Sequence, residues 1–249
     1  MAGPRRPPGK KPRSDGTSGR DPKKLSQRVK TARGRTLSST RWLERQLNDP
    51  FVSRAKLEGY RSRSAFKLTG IDDEFHLLKP GGRIVDLGAA PGGWSQVASR
   101  RTRADQGEGK VVAIDIHGVE PIAGVTILKQ DFLEEGAPKA LIEALGGDKA
   151  DVVMSDMAAH ATGHKQTDHL KIMALAEAAL MFAREVLKPG GAFVCKVLRG
   201  GAENELLRQL KQDFRQVKHF KPEASRENSA ELFLVALGFR GAAKPDKGE

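Results

Sequence analysis

Beyond residue 36 the apolar positions of the chain switch repeatedly between two periods. Leu68, Ile71, Phe75 and Leu78 recur at helical spacing within Ser64–Leu78. Lys79-Pro-Gly-Gly82 stops that helix, because proline and glycine cannot continue it. A short helical lead-in is expected over Ser38–Glu58, where Trp42, Leu43 and Leu47 are helically spaced. Short continuous apolar runs predict strands over Arg83–Leu87, Lys110–Ile116, Thr126–Leu128, Asp151–Ser155, Gly191–Val197 and Glu231–Leu237, with a weaker one near Val217–Phe220. Helices are expected over Trp94–Arg101, Ala137–Leu145, Asp168–Leu187 and Glu203–Phe214. Strand and helix thus alternate. This argues for an α/β fold with a seven-stranded, mostly parallel sheet and helices on both faces. The last two strands have no obvious long helix between them, so they are expected to pair antiparallel and leave one antiparallel edge strand. No internal repeat is present.

Residues 1–36 do not share this pattern. They are rich in Gly, Pro, Ser, Lys and Arg and nearly lack large apolar side chains. Such a segment cannot bury enough surface to offset its ordering entropy, and a disordered arm is expected. Residues 37–240 are expected to form one folded domain, with a flexible tail over 241–249. Charge follows the same division. Of the net charge of +12, residues 1–40 carry +10, from twelve Lys/Arg against Asp15 and Asp21. A nearly neutral body with a basic arm favours a polyanionic partner, nucleic acid before heparin-like chains or a membrane surface. No apolar run approaches the ~18–20 residues needed to span a bilayer, and no secretory leader is visible. A soluble, cytoplasmic protein is expected. The single cysteine, Cys195, excludes an intrachain disulfide and a cysteine-cluster zinc site. His160, His164 and His169 lie close together without metal-ligand spacing, and no metal site is expected.

The segment Arg83-Ile-Val-Asp-Leu-Gly-Ala-Ala-Pro-Gly-Gly-Trp-Ser joins the first strand to a helix. Gly88 allows a sharp turn, and Gly92 and Gly93 allow the backbone to approach a ligand closely. A dinucleotide site would show G-x-G-x-x-G. Here the pattern is G-x-x-x-G-G, with Asp86 two residues before the first glycine, and there is no P-loop. An acid at that place suits a cationic sulfonium and ammonium better than a pyrophosphate. Two further acids end successive strands. Asp115 is placed to accept hydrogen bonds from ribose hydroxyls, and Asp131 to reach an adenine amino group.

The fourth strand ends in Ser155-Asp156-Met-Ala. The Pro-Pro-aromatic turn common to enzymes that methylate base amino groups is absent there. A pyrimidine-carbon mechanism needs a cysteine nucleophile, and Cys195 lies on the fifth strand. These absences point to an oxygen acceptor. A ribose hydroxyl needs its proton accepted, and a buried lysine beside another cation can do this if an acid holds it in place. The candidates are Lys67, at the edge of the first helix's apolar stripe; Asp156; Lys196, inside the apolar run Ala-Phe-Val-Cys-Lys-Val-Leu; and Glu231, at the head of the last strand.

Ser-Arg-Ser-Ala-Phe-Lys67-Leu, the glycine turn, Val-Val-Met-Ser-Asp156-Met-Ala and the Lys196 strand together resemble the FtsJ/RrmJ family, from about Thr36 to Gly238. The resemblance implies a Rossmann-like, S-adenosylmethionine-dependent methyltransferase fold and a catalytic tetrad of Lys67, Asp156, Lys196 and Glu231, with Lys196 as proton acceptor. It implies cofactor contacts at Gly92, Trp94, Asp115, Asp131 and Asp156. It further implies 2′-O-methylation of a uridine in the A-loop of 23S rRNA within the large ribosomal subunit. A monomer is expected. One departure stands out: Ala159-His160 replaces the family's usual Pro-Asn in the loop bordering the acceptor. Three other functions compete. They are the same chemistry on a tRNA anticodon loop or mitochondrial rRNA, a ribosome-assembly factor with a vestigial cofactor site, and an NAD-dependent oxidoreductase, which the turn spacing disfavours.

Overall fold

Alternation along the strands builds two cores. A strand's side chains point to opposite faces in turn, so a strand buried at successive positions must be covered on both sides. The first strand, β1 (Arg83–Leu87), does this: Ile84 packs on one side, Val85 and Leu87 on the other, and all are buried. The computed structural model describes residues 34, 36–159, 162–200 and 203–241. They fall into two compact units divided after Asn48, and the expected basic arm lies almost wholly outside the described residues. In the first unit is one helix, α1 (Leu37–Leu47), whose Thr36 hydroxyl accepts the Ser39 amide as an N-cap.

The second unit begins with α2 (Pro50–Leu57), capped by Asp49 and started by proline at its first position. The expected lead-in is therefore two helices, interrupted at Asn48-Asp49. The helix α3 (Ala65–Phe75) ends at His76 in the left-handed conformation, before the Lys79-Pro-Gly-Gly82 stop. After β1 come α4 (Gly93–Thr102), a short 3-10 turn (Ala104–Gln106), β2 (Lys110–Asp115) and β3 (Val125–Lys129). Then follow α5 (Ala137–Leu145), β4 (Ala150–Ser155), α6 (Lys165–Val186), β5 (Leu187–Leu198), α7 (Glu203–Asp213), β6 (Phe214–Phe220) and β7 (Glu231–Phe239).

The seven strands lie in the order β3-β2-β1-β4-β5-β7-β6. Pairings from β3 through β5 are parallel; β7 runs antiparallel to both β5 and β6. The expected sheet is present, with its antiparallel strand at the expected end. That strand is β7, one place in from the edge, and β6 forms the rim. One face is covered by α3 and α4, whose Leu68, Ile71, Trp94 and Val97 meet Ile84, Val111, Met154, Val194 and Phe233. The other is covered by α5, α6 and α7 over Val85, Val112, Val153, Phe193 and Cys195. Strand order reverses between β1 and β4, which opens a crevice at their carboxyl ends. No helix among the described residues is long and apolar enough to cross a membrane.

Candidate active site

A cavity of about 600 Å³ lies at that crevice, within the ~300–1,000 Å³ range of small-molecule sites. Each parallel strand from β1 to β4 delivers residues to it from its carboxyl end: Gly88, Asp115, Asp131 and Asp156. Asp115 is held by two backbone amides. Ala90 N donates to Oδ2 at 2.9 Å and His117 N to Oδ1 at 2.7 Å. A carboxylate has about four lone-pair sites, so each oxygen keeps capacity for a ligand hydroxyl. Asp131 is exposed at the cavity wall, with Oδ1 accepting the Leu133 amide at 2.9 Å. Ile114, Phe132, Met157 and Leu175 make the rest of the lining largely apolar.

The glycine turn serves this site less directly than its sequence implies. Gly88 has φ +77, and a Cβ there would meet the Met157 backbone at 2.8 Å, so glycine lets the turn pass against the β4 loop. Gly92 does not line the cavity. It has φ +112 and faces Ile122, Val119 and the Arg61 guanidinium, which donates to the Glu120 and Pro121 carbonyls at 2.6 and 2.7 Å. The Trp94 ring also turns away. It is buried against Phe233 at 5.5 Å, and its Nε1 donates to the Ser64 carbonyl at 2.9 Å. Of the five expected cofactor contacts, Asp115, Asp131 and Asp156 line one cavity, while the side chain of Trp94 packs in the core.

Lys67, Asp156, Lys196 and Glu231 converge beside that cavity. Parallel pairing of Ser155 with Cys195 brings the next residues of β4 and β5, Asp156 and Lys196, side by side. Alternation turns Cys195 into the α5–α7 face and Lys196 to the opposite one, beneath α3. Antiparallel pairing sets Glu231, the first residue of β7, opposite Leu198. Lys67 comes down from the first turn of α3. Lys196 Nζ donates to Asp156 Oδ1 at 3.0 Å and to the Asp156 carbonyl at 2.6 Å. Lys67 Nζ donates to Glu231 Oε2 at 2.7 Å and stands 3.9 Å from Asp156 Oδ2. Lys196 is only 9% exposed. Burial alone would lift the Asp156 carboxyl, but Lys196, Lys67 and the Ser64 hydroxyl outweigh it and hold the group below the usual carboxylate range. Two cations and two anions thus cancel in a nearly dry place, where isolated charges would be costly.

Two hydroxyls that sequence reasoning passed over complete the cluster. Ser64 Oγ donates to Asp156 Oδ2 at 2.7 Å, and Ser225 Oγ to Glu231 Oε1 at 2.9 Å. Asp86 lies under the turn, fully buried, with Oδ2 accepting the Ser95 hydroxyl at 2.6 Å and Oδ1 without a partner. Burial above all, with the charges of Asp156 and Asp115 adding and Ser95 opposing, pushes its carboxyl up to about 7. His169, in the first turns of α6, sets its ring against Gly200, and His160 is outside the described residues.

A family model of FtsJ-like methyltransferases matches residues 60–239. A curated relative from Azorhizobium caulinodans, ribosomal RNA large subunit methyltransferase E, is 59% identical over 229 residues, covering 92% of this chain and 95% of the relative. The protein of the same name from Xanthobacter autotrophicus is 60% identical over 225 residues, covering 90% and 88% of the two chains. Among solved structures, a ribosomal RNA methyltransferase from Plasmodium falciparum is 30% identical with a TM-score of 0.64, the match covering 73% of this chain and 100% of that one.

Proposed function

Because this chain belongs to the FtsJ-like methyltransferase family, we propose that it methylates the ribose 2′-hydroxyl of a uridine in the A-loop of 23S rRNA, in the large ribosomal subunit. The observation that carries this reading is the Lys196–Asp156–Lys67–Glu231 cluster at the edge of a cavity lined by Asp115, Asp131 and Asp156. The curated relatives bear the name of a large-subunit rRNA methyltransferase, and the basic arm suits an RNA partner. The protein is expected to act in the cytoplasm.

The residues present fit S-adenosylmethionine. The cavity offers carboxylates for hydroxyl and amino groups and apolar walls for a flat ring, but no phosphate cradle. Asp115 would hold the ribose hydroxyls and Asp131 the adenine amino group. When bound, the cofactor supplies a methyl group made electrophilic by its sulfonium. The protein's own task is to aim a hydroxyl and take its proton. Lys196 serves as the base. To act it must first give up one proton of the ammonium that pairs with Asp156; the amine then has two N–H bonds and one lone pair. With both N–H groups engaged on Asp156, the lone pair is left for the substrate hydroxyl. The ammonium formed on proton transfer stays on the same two acceptors, so no side chain has to move. Lys67 compensates the second charge on the acids, and Glu231 keeps Lys67 in place.

The test is a methyl-transfer assay with labelled S-adenosylmethionine on unmodified large subunits, naked 23S rRNA and tRNA, followed by mapping of the modified nucleotide by mass spectrometry. Ribose methylation of an A-loop uridine in the large subunit is expected. Label on tRNA alone, or on a base, would overturn the assignment.

A further inference from the structure

We infer that Ser64 and Ser225 are positioning residues of the reaction, each fixing one carboxylate of the tetrad from the side opposite its lysine. This inference rests on the proposed ribose methylation and extends it to residues outside the tetrad.

Bond by bond, the arrangement is symmetrical. Asp156 gives Oδ1 to Lys196 and Oδ2 to Ser64. Glu231 gives Oε2 to Lys67 and Oε1 to Ser225. Each carboxylate is therefore gripped at both oxygens and cannot rotate without losing a charge-assisted hydrogen bond. Lys67 sits at 2.7 Å from Glu231 and 3.9 Å from Asp156, so at Asp156 Oδ2 the hydrogen bond comes from Ser64.

The helix geometry at Ser64 supports the same conclusion. Ser64 occupies the N-cap of α3, where a serine hydroxyl ordinarily accepts an amide of the first turn. Here its backbone is already helical, at φ -61 and ψ -26, outside the geometry of a capping bond, and the hydroxyl is left to Asp156. Both serines are also tied to one brace. The guanidinium of Arg63, the residue before Ser64, donates to the carbonyl of Ala224, the residue before Ser225, and pairs with Asp49 at 3.1 Å. The Trp94 indole holds the Ser64 carbonyl, and the Ser225 amide donates to Pro222 O at 2.8 Å. The loop between β6 and β7 is in this way locked to the start of α3, and the two hydroxyls move with it.

The experiment is a set of single-turnover methyl-transfer rates at saturating RNA and cofactor, for Ser64→Ala, Ser225→Ala, Glu231→Ala and the double variant Ser225→Ala/Glu231→Ala. Each serine variant is expected to lose about tenfold in rate, the scale of one hydrogen bond to a charged group. The KM for RNA and the cofactor Kd by calorimetry should stay within about twofold. Without Glu231 there is nothing for Ser225 to position, so in that background Ser225→Ala should change the rate by less than about twofold. Rates within twofold of the parent, or an undiminished loss in the Glu231→Ala background, would overturn the inference. Should an alanine variant not fold, Ser64→Cys or Ser225→Cys carries the same test, because a thiol of similar size donates weakly. An unmodified protein that methylates no ribose would refute the underlying reading, and this one with it.

Discussion

Asp86→Asn probes the electrostatics beneath the site. In the folded protein the Asp86 carboxyl titrates at about 7, against an ordinary value of 3.8. Its folded-state value is raised, so between these two pH values the folded chain holds a proton that the unfolded chain has released. The contribution to stability is fully present below about pH 4 and is lost as pH rises through about 7. At about 1.4 kcal/mol per pH unit, the loss between pH 5 and pH 8 is about 2.5 kcal/mol. Asparagine has nearly the shape of the neutral acid and does not ionise, so the variant should lack this slope. The assay is urea unfolding of parent and variant at pH 5, 6, 7 and 8, without added cofactor. Subtracting one curve from the other removes the other titrating groups. The stability of the variant relative to the parent should increase by about 2.5 kcal/mol from pH 5 to pH 8. Parallel curves, with a gap constant to within ~0.5 kcal/mol, would refute the reasoning.

Lys196→Ala should reduce methyl transfer by about a thousandfold, in the range of a lost general base, while calorimetry finds cofactor affinity nearly unchanged; a variant with full rate would exclude Lys196 as the proton acceptor. Asp115→Asn should weaken S-adenosylmethionine binding about tenfold, since one acceptor oxygen becomes a donor facing hydroxyls; unaltered calorimetric affinity would remove Asp115 from the cofactor site. Deleting residues 1–36 should weaken RNA binding and flatten its dependence on salt, with cofactor binding intact. An equal loss in both would mean the arm is not a separate electrostatic element.

The elements that would carry the proposed chemistry are the ones the sequence declares best, and the reason is geometric. A strand buried on both faces must be continuously apolar, so a charge inside it is conspicuous; Lys196 stands out for that reason. Asp115 and Asp156 are legible because a parallel sheet places all its ligand-facing ends together. What sequence could not reveal depends on contacts between distant segments. Ser64, which reads as an ordinary helix start, and Ser225, which reads as an ordinary loop serine, are 161 positions apart. The resemblance names Trp94 as a cofactor contact, and no local pattern announces that its indole, at the start of α4, packs against Phe233. Gly92 is needed for a positive φ and for the approach of Arg61 and Ile122, neither of which a local pattern announces. Strand ends shifted for a similar reason: β5 begins at Leu187 because that residue pairs with Ala150 across an irregularity, ahead of the Gly191 start that composition indicates.

Cys195 adjoins Lys196 but packs in the opposite core, fully buried, where burial pushes its thiol well above the ordinary range. In the proposed mechanism it takes no step. Its inertness nonetheless makes it a clock. A thiol reagent can reach it only when the layer of α5, α6 and α7 lifts from its face of the sheet, the face opposite the tetrad. The labelling rate of one native cysteine therefore counts how often that core opens, with no probe to be introduced.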